Sequence, residues 1–162
     1  EHVIMTEGVS INILVADDDP DDRMLIEEAF EENRLTNRLD FVEDGEDLLE
    51  YLQRRGKWAD PESSPRPGLI LLDLNMPRMD GREALKRIKA DPSLASIPVV
   101  VLTTSKQEED ILRTYGLGVN SFITKPVTFE GLLRVTQVLT SYWIEIVQLP
   151  GQFDERAGTA AA

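Results

Sequence analysis

The chain has 162 residues, 41% of them hydrophobic and 29% charged, which is ample for one domain with a sizeable apolar core. Its 30 acidic and 17 basic residues give a formal charge of −13, a balance that repels nucleic-acid and membrane phosphates and suits a basic partner or a bound cation. With no cysteine and one histidine, His2, the chain excludes disulfides, thiolate chemistry and a His-rich metal site.

No stretch has the length of a membrane span, and residues 1–10 lack the apolar core of a signal peptide. The expectation is an acidic cytoplasmic domain over residues 10–150, with a flexible segment at 1–9 and a small, polar, disordered tail at 151–162.

Five apolar runs alternate with amphipathic stretches. Ile11–Ala16, the first, reads as a strand, and Asp19 before Pro20 then offers an N-cap and an N1 proline. Leu25 with Ala29 and Ile26 with Phe30 make i,i+4 pairs on the helix that follows. Leu39–Glu43 alternates apolar and polar residues, which places it at or near a sheet edge. Asp44 opens a second helix with Leu48, Leu49 and Leu52 on its apolar side.

Arg54 to Gly68 is rich in Pro, Gly and Ser and reads as a long surface loop. Leu69–Leu72 follows as a continuous apolar strand, then a helix from Gly81 to Ala90 that ends before Pro92. Val99–Leu102 is the fourth strand, and Ser105 with Glu108 forms a capping-box pattern ahead of Ile111, Leu112 and Tyr115. Ser121–Thr124 is the fifth strand, and Thr128 starts the longest helix, running to about Val147. The strand–helix alternation predicts a doubly wound α/β domain of (βα)5 type.

In such a sheet, ligands meet the carboxyl ends of the strands. Asp17, Asp18 and Asp19 follow the first strand, Asp73 the third, Thr103 and Thr104 the fourth, and Lys125–Pro126 the fifth. Clustered carboxylates repel one another, and a hard divalent cation such as Mg2+ resolves the conflict with an oxygen shell. Metal, ammonium and hydroxyl together offset charge on a transferring phosphoryl group, while a carboxylate can accept it as nucleophile. For Asp19, Asp21 and Asp22 the acids fit a solvated helix start, favoured by the helix dipole.

These motifs, in this order, resemble the receiver domain of two-component response regulators, the CheY-like family, over roughly Ile11 to Val147. They are Ile-Leu-Val-Ala-Asp17-Asp18-Asp-Pro, Leu-Leu-Asp73-Leu-Asn-Met-Pro77-Arg-Met-Asp-Gly81, Val-Val-Leu-Thr103-Thr-Ser and Phe122-Ile-Thr-Lys125-Pro126. The resemblance implies a flavodoxin-like fold with a parallel sheet of order 2-1-3-4-5. It makes Asp73 the phosphoacceptor, and it gives Mg2+ to Asp17, Asp18, Asp73 and the Asn75 backbone carbonyl. Thr103 becomes the switch hydroxyl, Lys125 its cationic companion behind a cis Lys125–Pro126 bond, and Phe122 the switch aromatic, where the family often has Tyr. The implied donor is a sensor histidine kinase. The domain would catalyse only its own phosphorylation and dephosphorylation, and would not be an enzyme on an external substrate.

The last helix carries a core-facing stripe of Leu132, Val135, Leu139, Tyr142 and Ile146, with Trp143 and Val147 as a second apolar patch. From these, a homodimer interface of Leu139, Tyr142, Trp143, Ile146 and Val147 is expected, the alternative being that the loop around Trp58 folds over the helix. The 54–68 segment and the ending Ser141-Tyr-Trp-Ile-Glu-Ile-Val-Gln-Leu-Pro150 resemble small stand-alone regulators paired with phytochrome kinases. A haloacid-dehalogenase-type phosphatase shares the strand-end aspartate, threonine, lysine and Mg2+. It usually has a second Asp two residues after the nucleophile, where this chain has Asn75, and puts the nucleophile on the first strand. A receiver-like scaffold that works without phosphorylation would leave the full set of Asp17, Asp18, Asp73, Thr103 and Lys125 without a purpose. Nucleic-acid binding is not expected, since no basic winged-helix segment follows Pro150.

Overall fold

A computed structural model describes residues 11–33, 37–103, 121–124 and 128–140. Five strands, β1 (Ile13–Ala16), β2 (Leu39–Val42), β3 (Leu69–Asp73), β4 (Val99–Thr103) and β5 (Ser121–Thr124), form one sheet in the order β2-β1-β3-β4-β5. All four pairings are parallel. Among the described residues the α-helices are α1 (Pro20–Glu32), α2 (Gly45–Gln53), α3 (Gly81–Ala90) and α4 (Phe129–Thr140).

The near-continuous apolar runs are explained by two covered faces. Side chains alternate along each strand, so Leu14, Ala16, Ile70, Leu72, Val99 and Val101 pack with Leu48, Tyr51, Leu85 and Ile88 of α2 and α3. Ile13, Val15, Leu69, Leu71 and Val100 face the other way, onto Ile26 and Phe30 of α1 and Leu132, Val135 and Leu139 of α4. The alternating Leu39–Val42 segment is an edge strand, as its pattern predicts, with three of its four residues only half-buried.

Each helix start is fixed by its capping residue. Asp19 accepts from the Asp21 N–H at 2.9 Å with Pro20 at N1, and Asp44 accepts from the Asp47 N–H at 2.8 Å. Asp80 accepts from the Arg82 and Glu83 N–H groups, and Thr128 Oγ1 accepts from the Gly131 N–H at 3.0 Å. Asn33, at the end of α1, donates from Nδ2 to the Leu133 carbonyl at 3.0 Å and ties α1 to α4.

The 54–68 segment departs from the expected loop. It forms a 3-10 turn at Gly56–Trp58 and folds back on α2. The Trp58 indole N–H donates to Asp47 Oδ1 at 2.7 Å, and its ring meets Tyr51 edge-on at 4.8 Å. Ser64 is buried, with Oγ donating to the Trp58 carbonyl at 2.8 Å. Composition marked the segment as irregular; its anchors, the half-buried Trp58 and the buried Ser64, gave no periodic signal. Trp58 packs on the α2–α3 face of the sheet, whereas α4 lies on the opposite face, so Trp58 does not cover α4. The capping-box segment at Ser105 and the continuation of the last helix to Val147 lie outside the described residues.

Candidate functional site

The sheet register assembles the site. Ala16 of β1 is paired with Leu72 of β3, so the next residues, Asp17 and Asp73, emerge side by side on adjacent strand ends. With Asp18 they form a group whose ligand oxygens all lie within 4.8 Å of one another. Asp73 pairs across to Leu102, which brings Thr103 to the same rim, and Thr103 pairs with Thr124, the residue before Lys125. The side chains of Thr103 and Phe122, and all of Lys125 with its bond to Pro126, lie outside the described residues.

Local bonds set each acid. Asp17 is fully buried; its N–H donates to the Val42 carbonyl at 3.0 Å, and its Oδ1 accepts from the Asp19 N–H at 3.0 Å. Arg23 Nη1 donates to the Asp17 carbonyl at 2.7 Å, so the first helix pins the strand end. Asp18 is exposed. Asp73 is 4% exposed, and its Oδ1 accepts from the Asn75 N–H at 3.1 Å. The following loop returns tightly, because the Gly81 N–H donates to the Leu74 carbonyl at 2.9 Å. A Cβ at Gly81 would stand 2.6 Å from the Asp73 carbonyl oxygen, so only glycine admits this approach.

Three carboxylates at this spacing repel by on the order of 3–4 kcal/mol per charged pair, at an effective dielectric of about 20. The donor set is hard oxygen with no nitrogen or sulfur, and it suits a small divalent cation of the Mg2+ or Mn2+ kind. The acids bring the charge, and the buried Asp17 and Asp73 bring the rigidity that an octahedral shell demands.

Residues 13–137 match the response regulator receiver domain, and the chain belongs to that family. Receiver domains bind Mg2+ at an acidic pocket, and the Asp17–Asp18–Asp73 cluster is such a pocket. The chain is 43% identical over 138 residues to the response regulator Rcp1 of Synechocystis, covering 85% of this chain and 92% of Rcp1. Its fold superposes on the phosphorylated cyanobacterial phytochrome response regulator RcpA with a TM-score of 0.78 at 40% identity, covering 87% of this chain and 99% of that one. The Mn2+-bound form of Rcp1 matches with a TM-score of 0.75 at 42% identity, over 86% of this chain and 99% of that one. The dehalogenase arrangement is not met: Asp73 ends the third strand and the acidic pair follows the first.

Leu139, expected both on the core-facing stripe and in the interface, lies on the core side. Leu139 is only 7% exposed and packs inside the α1–α4 side of the core, where it also lines a pocket of about 80 Å3 between those helices. It is committed within the chain; its neighbour Val138, which the stripe did not include, is 61% exposed. Tyr142, Trp143, Ile146 and Val147 lie outside the described residues. The sequence also passed over Arg78, whose guanidinium pairs with the buried Asp44. Among the described residues, no helix is long and apolar enough to cross a membrane.

Proposed function

We propose that this receiver accepts a phosphoryl group from a sensor histidine kinase on Asp73, and that the kinase is a phytochrome. The observation that carries the phosphoacceptor is the convergence of Asp17, Asp18 and Asp73, with their oxygens within 4.8 Å, at the ends of β1 and β3. The phytochrome partner rests on the likeness to RcpA, a phytochrome response regulator.

In the transfer, an Asp73 carboxylate oxygen attacks phosphorus, the O–P bond forms, and the P–N bond to the kinase imidazole breaks. The released imidazole is left neutral or takes a proton from solvent, according to pH. Mg2+, when bound, neutralises charge on the phosphoryl oxygens. Asp17, Asp18, Asp73 and the Asn75 carbonyl would hold it. Lys125 pairs with the phosphoryl group and the Thr103 hydroxyl donates to it, drawing the β4 end inward and shifting Phe122. That population shift changes the surface beyond β4 and β5 and with it partner binding. The acyl phosphate hydrolyses slowly in the same site, so the protein catalyses only reactions of its own aspartate. It works in the cytoplasm, without nucleic acid, as a homodimer through Tyr142, Trp143, Ile146 and Val147; the outward Val138 supports an apolar outer face on α4.

The test is intact mass after incubation with acetyl phosphate and Mg2+. Wild type should gain one phosphoryl group, Asp73→Asn none, and chelation should abolish the gain. Sizing the same samples reads the dimer. An unmodified wild type, even with phosphorylated kinase as donor, would leave a receiver fold used as a scaffold.

A further inference from the structure

We propose that Arg78 is a positioning residue for the phosphoacceptor, acting through a latch to the start of α2; the inference rests on the phosphoacceptor reading of Asp73. Arg78 lies in the loop between Asp73 and α3, and its backbone has φ 63°, a left-handed conformation that a non-glycine residue holds only when its surroundings impose it. In this conformation the Arg78 guanidinium reaches Asp44. This carboxylate is 3% exposed, caps α2 with Oδ1 and accepts from Arg78 Nη2 with Oδ2. Arg78 Nε also stands 3.9 Å from Glu46 Oε1 on the exposed side of the same turn.

A second contact lies beside the first. The Gly45 N–H donates to the Met79 carbonyl at 2.8 Å, and a Cβ on Gly45 would fall 2.3 Å from that oxygen. Residues 78 and 79 are therefore held to residues 44 and 45 by one side-chain and one backbone bond.

The other end of the loop is the site. The Asn75 N–H donates to Asp73 Oδ1, so the loop backbone orients the carboxylate itself, and Asn75 offers the carbonyl expected to face the metal. The α2 side of the latch is braced in turn. Asp47 accepts from the Glu43 N–H at 3.1 Å and from the Trp58 indole, with Lys57 Nζ 3.5 Å away. The 56–58 turn thus stiffens the anchor to which Arg78 is tied. The guanidinium is largely solvent-exposed, so it contributes direction and charge rather than packing.

The experiment compares wild type, Arg78→Gly, Arg78→Lys and the double variant Asp44→Asn with Arg78→Gly. Glycine accepts the left-handed backbone without strain, and asparagine keeps the α2 cap while removing the charge left by the lost arginine. The readouts are Mg2+ affinity by calorimetry, initial phosphorylation rate with acetyl phosphate, and melting temperature. Arg78→Gly and the double variant should both weaken Mg2+ binding and slow phosphorylation by about 10-fold, the range seen when groups that orient metal ligands are removed. Arg78→Lys should recover part of both losses, and the double variant should recover melting temperature alone.

Values within twofold of wild type for Arg78→Gly would overturn the proposal. So would losses that disappear in the double variant, since they would then follow stability. If wild type itself took no phosphoryl group, the phosphoacceptor reading would fail, and the Mg2+ affinities alone would decide the role of Arg78.

Discussion

Tyr51 is buried at 1% exposure and satisfies its hydroxyl by donating to Asp40 Oδ2, with the Pro65 carbonyl 3.1 Å away. Burial, and then the hydrogen bond to Asp40, push the phenol well above its ordinary value. A raised folded-state value means that the stabilisation is complete below the unfolded phenol's pKa of about 10 and is lost as pH climbs beyond it. Thermal melts should therefore fall more steeply above about pH 10 for wild type than for Tyr51→Phe. At neutral pH the same variant should lose about 1.5–3 kcal/mol, the worth of a hydrogen bond to a charged acceptor. Equal alkaline slopes for the two proteins would show that Tyr51 does not titrate against folding.

At the scale of elements, the tightest junction is the start of α2 against the loop after β3. Gly45→Ala forces a methyl group into the Met79 carbonyl, and urea unfolding should register a loss of about 1–3 kcal/mol through overpacking. An unchanged urea midpoint would mean the junction yields. This junction also marks where the sequence stops being legible. Local signals were strong enough to read the strands and caps: Asp19–Pro20, Asp44 and the alternation of Leu39–Val42 each report an element from a few neighbouring residues. The acidic site was readable because its members sit at strand ends, where the ordered motifs identify them. Arg78 with Asp44, and Trp58 with Asp47, were not, because pairs 34 and 11 residues apart leave no periodicity. Leu139 was legible as part of the core-facing stripe and packs there with Ile26 and Phe30; its second placement, in an interface, came from spacing alone, which does not say what covers a helix.

The whole molecule carries a formal charge of −13, and Asp17, Asp18 and Asp73 add a local repulsion at one rim. A ligand that binds only the folded state stabilises it by about 2.7 kcal/mol at a hundredfold excess over Kd. Mg2+ should accordingly raise the melting temperature well beyond the rise produced by NaCl at equal ionic strength. Asp18→Asn should melt higher than wild type without Mg2+, by relief of repulsion, and should lose most of the Mg2+-specific increment. Identical responses to Mg2+ and NaCl would reduce the acidic rim to a screened surface.

The strand order also bears on how the chain folds as it leaves the ribosome. β1 lies between β2 and β3, and from β3 onward each strand pairs with the strand made just before it. The sheet can therefore grow in one direction from β3 onward, with no strand inserted between two that are already joined. Asp17 and Asp18 emerge early, 56 residues ahead of Asp73, and the three acids of the site meet only when β3 docks on β1. The electrostatic penalty of the site is thus deferred to the docking of the third strand, when the apolar side chains of β1 and β3 close together and can offset it.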